Sequence, residues 1–241
     1  MAHAASSSAP PKGATGACVF ADGTIIWGMG FGKPGYAVGE VCFNTSITGY
    51  QEIMTDPSYA AQIVTFTFPH IGNVGANVED VESAVESAVG CIVREPVSLA
   101  SSFRSTQEFA AWMEASGKIG LSGVDTRALT RRIRMSGAPN AVIAYEPNGG
   151  FDVEGLIENA REWSGLEGLD LASRVSRKKA EAWNGGEWRL GRGYGLNAEN
   201  SVHPEPVGSA ADAQGQRSSL TSDPAQKEKG GPSTGSGRTD T

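Results

Sequence analysis

Three thiols and three imidazoles are where nucleophilic chemistry would have to come from in this chain: Cys18, Cys42 and Cys91, with His3, His70 and His203. In such chemistry a thiolate attacks a carbonyl carbon, a base manages the protons and backbone amides hold the oxyanion. The cysteines are odd in number and far apart, with no metal-ligand spacing and no disulfide framework. Cys91, in Gly90-Cys91-Ile92-Val93, is the tempting nucleophile, but its setting reads as a plain strand. It is expected in the core, where unpaired cysteine is at home. His3 and His203 lie in low-complexity ends, and His70 reads as a structural histidine whose ring bonds nearby backbone. No thiol–imidazole pair is expected.

Other polar groups have ordinary readings. Asp56-Pro57-Ser58 is a turn in which the serine bonds its own backbone. Arg127, Arg131, Arg132 and Arg134 share one helix and read as a solvated face or a partner contact, since Leu129 and Ile133 take the core side. Gly28, Gly30, Gly32 and Gly35 suggest a loop or bulge. They are not followed by the Gly-Lys-Ser/Thr of a phosphate loop, and no helix opens there.

The elements that position these groups follow from pattern. Cys18 to Ala21, Asp22-Gly23 and Thr24 to Trp27 form a hairpin, with both turn residues free to take positive φ. Strands are expected over 40–44, 62–68, 89–93 and 140–145, with one helical turn at 51–54 ended by Asp56-Pro57. Ser105-x-x-Glu108 is a capping box ahead of Phe109, Trp112 and Met113. Asp125 caps a helix over 126–135 that Gly137 stops, and Asp152 caps another with Val153, Leu156, Ile157, Ala160 and Trp163 inward. Strands early, then strands mixed with helices, imply α/β or α+β with a β-rich half.

Bulk composition sets limits. Net charge is −7, which leaves no basic footprint for nucleic acid, and no run of about 18 apolar residues implies a membrane span. No secretory leader is visible, so a reducing cytoplasm is the expected setting. Residues 1–16 and 196–241 lack the apolar content to offset the entropy of ordering, and are expected to be disordered around a domain spanning 17–195.

The run from Gly39 to Tyr59, containing Asn44-Thr45-Ser46-Ile47-Thr48-Gly49-Tyr50-Gln51-Glu52 and Thr55-Asp56-Pro57-Ser58-Tyr59, carries a resemblance. Phe68-Pro69-His70-Ile71-Gly72-Asn73 comes after it, then Ser101-Ser102-Phe103-Arg104, Gly123-Val124-Asp125-Thr126-Arg127 and Gly165 to Ala172, with Trp183 and Trp188 trailing. In that order these blocks resemble the N-terminal domain of the small, glutamine-hydrolysing subunit of carbamoyl-phosphate synthase. Several blocks in register are a far stronger signal than one short motif.

The resemblance implies an α+β (β/β/α) domain, two β layers with helices packed against them. It implies docking on the large subunit, which uses ATP and magnesium, so that this chain binds no cofactor. In the family the serine of the Thr-Asp-Pro-Ser-Tyr block contacts glutamine, which makes Ser58 the glutamine-binding candidate. That contact needs the amidotransferase domain, which in the family comes after this one and supplies the cysteine, on a sharp glycine-flanked turn, and the histidine. Neither that turn nor that histidine is found here, so no catalytic residue is assigned. The abrupt change after Gly195 is read as a truncated or frame-shifted small subunit. The alternative is a free-standing module that binds the large subunit without delivering ammonia.

Overall fold

The computed structural model describes residues 9–180, 182 and 185–189. His3, Trp183, His203 and residues 196–241 lie outside the described residues. By contacts the chain divides into Met1–Glu181 with Gly185–Leu196, and Ala182–Asn184 with Asn197–Thr241. All the strands and helices described belong to the first of these units.

Among the described residues, seven strands run in the chain order β1 (Gly16–Phe20), β2 (Ile25–Gly32), β3 (Gly35–Asn44), β4 (Gln62–Phe66), β5 (Gly90–Ile92), β6 (Ile119–Ser122) and β7 (Asn140–Tyr145). Five α-helices accompany them: α1 (Tyr50–Thr55), α2 (Phe109–Ala115), α3 (Thr126–Ser136), α4 (Val153–Glu162) and α5 (Leu171–Val175). The strands close into a barrel in the order β1-β2-β6-β5-β4-β3-β7. Strands β3 to β6 pair parallel, with Val41 opposite Ile63, Val64 opposite Cys91 and Cys91 opposite Gly120, and the remaining pairs are antiparallel. Closure leaves the sheet without an open edge. The architecture is α+β, and the two β layers are opposite walls of one barrel.

Side chains alternate between two apolar environments, as period-2 geometry requires. Cys18, Phe20, Val41, Ile63, Ile92, Leu121, Ala141 and Ile143 form one cluster, which Leu129 and Ile133 of α3 complete. Their neighbours in sequence point the other way. Ala17, Val19, Val142 and Ala144 meet Leu156 and Ala160 of α4. Val64, Phe66, Cys91 and Val93 meet Tyr50 and Met54 of α1 and Phe109 and Met113 of α2. Burial on both faces explains why β1 and β7 read as continuous apolar runs rather than alternating ones.

The expected glycine loop is strand. Gly28 and Gly30 lie within β2, where a Cβ on Gly28 would come 2.3 Å from the Ser122 carbonyl oxygen and one on Gly30 would come 2.1 Å from the Tyr145 ring. These glycines permit close approach across a small barrel, which local pattern cannot reveal. The hairpin is present with a different turn. Gly23 N–H donates to Phe20 O and Phe20 N–H to Thr24 O, and of Asp22 and Gly23 only Gly23 takes a positive φ, 86°. The expected capping box is absent. Ser105 Oγ donates to Gln107 O, Glu108 Oε2 accepts from Ala100 N–H, and α2 starts after Glu108 without a side-chain cap. Strand β6 and helix α5 add to the expected set, and β4 ends two residues early at Phe66. By contrast Asp125, Asp152 and Asp170 cap α3, α4 and α5 through Ala128, Gly155 and Ser173 N–H.

Candidate functional site

The crossover from β3 to β4 carries the residues of interest. Gly49, at φ 82°, turns the chain into α1. One face of α1 buries Tyr50 and Met54, and Tyr50 meets the Phe109 ring edge-on at 4.6 Å. Asp56 then leaves helical geometry, and its Oδ1 accepts from Ser58 N–H at 2.7 Å, starting a single 3-10 turn (Pro57–Tyr59) with Pro at its first position. The turn is therefore capped by the aspartate rather than by the serine. Ser58 is exposed, and its hydroxyl makes no hydrogen bond among the described residues. Tyr59 OH accepts from Asn44 Nδ2 at 2.9 Å, and Asn44 Oδ1 accepts from Ser46 N–H, which ties the loop after β3 to the same turn. Ala61, buried and at φ 59°, completes the re-entry into β4, and among the described residues it is the one non-glycine with positive φ. Left-handed backbone at an alanine costs about 1–2 kcal/mol.

Polar side chains fasten α1 to the loop after β4. Gln51 Nε2 donates to Asn77 O at 2.7 Å, while Asn77 N–H donates back to Gln51 Oε1 at 2.9 Å. Thr55 Oγ1 accepts from Glu82 N–H at 2.9 Å, and Tyr50 OH accepts from Val74 N–H at 2.8 Å. Asn77 passes the connection on, its Nδ2 donating to Asp80 Oδ2 at 2.8 Å. Asp80 pairs with Arg104 on the loop preceding α2, and Arg104 also lies 3.6 Å from Glu79. Gln51, Thr55, Asn77 and Asp80 are all buried, and bonded buried polar groups of this kind fix one geometry.

Above the network lies a cavity of about 240 Å³, lined by Glu52, Glu79, Asp80, Glu82, Arg104 and Trp188 among others. Burial pushes the Glu52 carboxyl up, and the charges of Asp80 and Glu82 add to that, while Arg104 opposes it. The Arg104 guanidinium is held charged chiefly by its hydrogen bond to Asp80.

Burial pushes Cys18, Cys42 and Cys91 up to about 12, with Glu40 adding to the effect at Cys42. Cys91 faces α2 from the outer side of β5, in the core as expected. His70 departs from its expectation, being exposed, with its ring edge-on to Phe68 at 6.3 Å and no ring bond to backbone among the described residues. On α3, Arg127, Arg131 and Arg134 are solvated, whereas Arg132 lies over the Phe20 ring at 4.4 Å and pairs with Asp22 at 2.6 Å. Pattern missed Gln51, Asn77, Asp80 and Arg104 because their partners lie 24 to 26 residues away. A local sign existed only for Asn77, whose Oδ1 accepts from Glu79 and Asp80 N–H in an Asx turn.

Residues 18–143 match the family described as carbamoyl-phosphate synthase small chain, CPSase domain. Similar proteins include the carbamoyl phosphate synthase small chain of Zymomonas mobilis, 57% identical over 189 residues, which are 78% of this chain and 50% of the relative. That of Bradyrhizobium diazoefficiens is 53% identical over 77% of this chain and 48% of its own, and that of Caulobacter vibrioides 53% identical over 76% and 48%. The chain thus spans about half the length of the curated relatives it matches. Among solved structures, an aminopeptidase from Aneurinibacillus sp. strain AM-1 aligns with a TM-score of 0.32 at 15% identity, over 57% of this chain and 31% of its own, which is too distant to inform function.

Proposed function

This chain belongs to the carbamoyl-phosphate synthase small chain family, and from that premise we propose that it is the small subunit's docking domain for the large synthetase subunit and does not itself hydrolyse glutamine. In the proposed assembly, glutamine supplies ammonia through an amidotransferase domain. The large subunit then uses ATP and magnesium to join that ammonia with bicarbonate as carbamoyl phosphate, in the cytoplasm, for arginine and pyrimidine synthesis. Ser58 is assigned to glutamine within that assembly, since its hydroxyl is exposed and unengaged on a turn held rigid by Asp56 and Tyr59. Among the described residues no helix is long and apolar enough to cross a membrane.

The observation that carries the negative half is the state of the thiols. At pH 7 a group raised to about 12 is almost wholly protonated, and Cys18 and Cys91 are fully buried. The thiol rather than the thiolate is a poor nucleophile.

Mixing the 241-residue chain with the large subunit of Zymomonas mobilis carbamoyl phosphate synthase tests both halves. The two should co-elute on gel filtration, ammonia-dependent carbamoyl phosphate synthesis should persist, and glutamine-dependent synthesis should be absent. Separate elution would remove the docking role. A labelled glutamyl thioester trapped on any cysteine would overturn the catalytic half.

A further inference from the structure

Lys118 lies on the turn between α2 and β6. Its backbone is fixed there, with N–H donating to Met113 O at 2.8 Å and C=O accepting from Lys33 N–H at 2.9 Å. The side chain reaches the segment that leads into β5, where Nζ donates to Ala88 O at 2.6 Å and to Ser87 Oγ at 3.0 Å. Among the described residues no carboxylate pairs with it. The titratable group that faces it is the Cys91 thiol of β5, wholly buried and itself pushed up to about 12, so it carries no charge at neutral pH. Lysine seldom gives up water without an acid beside it.

An ammonium taken out of water with no opposing charge favours its neutral form. The neutral amine suits this position. It has two N–H bonds, one for each acceptor, and a lone pair bonded to nothing. Burial brings the group from 10.5 to about 8, so at about pH 7.5 about a quarter of it is neutral, against about a thousandth for an ordinary lysine. A desolvated neutral lysine is a nucleophile. The residue is only partly covered, while Ala88 and Ile119 next to it are buried, so the amine is open to a small uncharged reagent rather than to a large or ionic one.

We propose that Lys118 is a carbamoylation site whose Nζ adds to isocyanic acid, the small electrophile in equilibrium with cyanate. The Nζ lone pair forms a bond to the isocyanic carbon, and the C=N π pair takes up the proton that Nζ sheds. The product is a urea, Nζ–CO–NH2. Nothing leaves, and nothing is oxidised or reduced. The urea nitrogen takes up no proton at neutral pH, so the step erases the buried charge. Carbamoyl phosphate yields cyanate when it sheds phosphate in water. The source of the reagent therefore rests on the proposed function, whereas the reactivity of the site does not.

The test exposes the folded 241-residue chain to potassium cyanate and follows Lys118 and Lys33 by peptide mass spectrometry. Lys33 is exposed and bonded to Lys118 through the backbone, and the ratio of the two rates cancels the supply of isocyanic acid. At about pH 7.5 Lys118 should react at least about fivefold faster, since lower basicity and partial burial take back only part of its advantage in free amine. The ratio should fall by at least about tenfold as pH rises to 10.5, where Lys33 too becomes neutral. In guanidinium chloride the preference should vanish. Equal or slower labelling of Lys118 at about pH 7.5, a ratio that does not change with pH, or a preference that survives unfolding would each overturn the proposal. Because cyanate is added directly, failure of the chain to co-elute with the large subunit would remove the docking role and leave this site standing.

Discussion

The barrel interior and the lobe formed by the two loops that Asp80 and Arg104 join each hold chain in one place, by opposite means. Inside the barrel, Phe20, Ile63, Ile92, Leu121 and Ile143 are wholly buried and make almost no use of polar side chains. In the lobe, position rests on Gln51, Asn77, Asp80 and Arg104, while large apolar groups face solvent. Apolar burial is non-directional and insensitive to pH, so it tolerates change at a surface and resists change in a core. Polar clamps are directional, and they let a segment keep its shape while its apolar groups stay free to meet something else. The first arrangement suits a scaffold and the second suits a contact surface.

The largest effect belongs in the barrel. Leu121→Ala should cost about 2–5 kcal/mol in urea unfolding, because the closed wall around it cannot collapse into the space. A loss below about 1 kcal/mol would mean that the barrel is less tightly closed than its register indicates.

Lys118 is the exception among the groups around the barrel. Burial lowers its amine from 10.5 to about 8, while Nζ donates to Ala88 O at 2.6 Å and Ser87 Oγ at 3.0 Å. A folded-state value below the unfolded one means that the contribution to stability is present above 10.5 and lost as pH falls through about 8. The wild type should therefore gain stability relative to Lys118→Met between pH 8 and 10.5, by at most about 3 kcal/mol. Denaturant titrations of both proteins across that window measure it, and parallel curves would remove the buried charge from the account.

In the lobe, Gln51→Ala leaves Asn77 N–H and C=O without their partners, at a cost of about 1–3 kcal/mol. Amide exchange should quicken first at 74–82 and leave β1 and β7 untouched. Global loosening would show that lobe and barrel are one cooperative unit.

The smallest effect is at the exposed Asp22–Arg132 pair. Burial works to raise the Asp22 carboxyl, but hydrogen bonds from Thr24 and Arg132 outweigh it and the net shift is downward. Its contribution is present above the usual 3.8 and lost as pH falls below that value. Asp22→Asn should cost a few tenths of a kcal/mol at neutral pH, less in high salt, and nothing in strong acid. A salt-independent loss would assign the effect to packing of Arg132 on Phe20.

Local rules carried the helix starts at Asp125 and Asp152, the stop at Gly137 and the strand over 140–145, because a cap or an apolar run is decided by its own neighbours. They failed at β6, whose four residues Ile119 to Ser122 include a glycine and give periodicity too little length to register. They failed also at Gly28 and Gly30, where the reason for glycine is the close approach of the Ser122 carbonyl and the Tyr145 ring, each about a hundred residues away. At the candidate site only the motif singles out Ser58. Gln51, Asn77, Asp80 and Arg104 carried no spacing to find them by.

The amino-acid sequence by itself determined the family, the capped starts of α3 and α4 and the strand β7, since each depends on residue types close along the chain. Tertiary structure alone decided that the strands close into a barrel, that Arg104 bridges two loops and that Phe103 stands exposed next to that bridge. Those outcomes depend on which distant segments meet, and that is set by the summed burial of both strand faces rather than by any local preference.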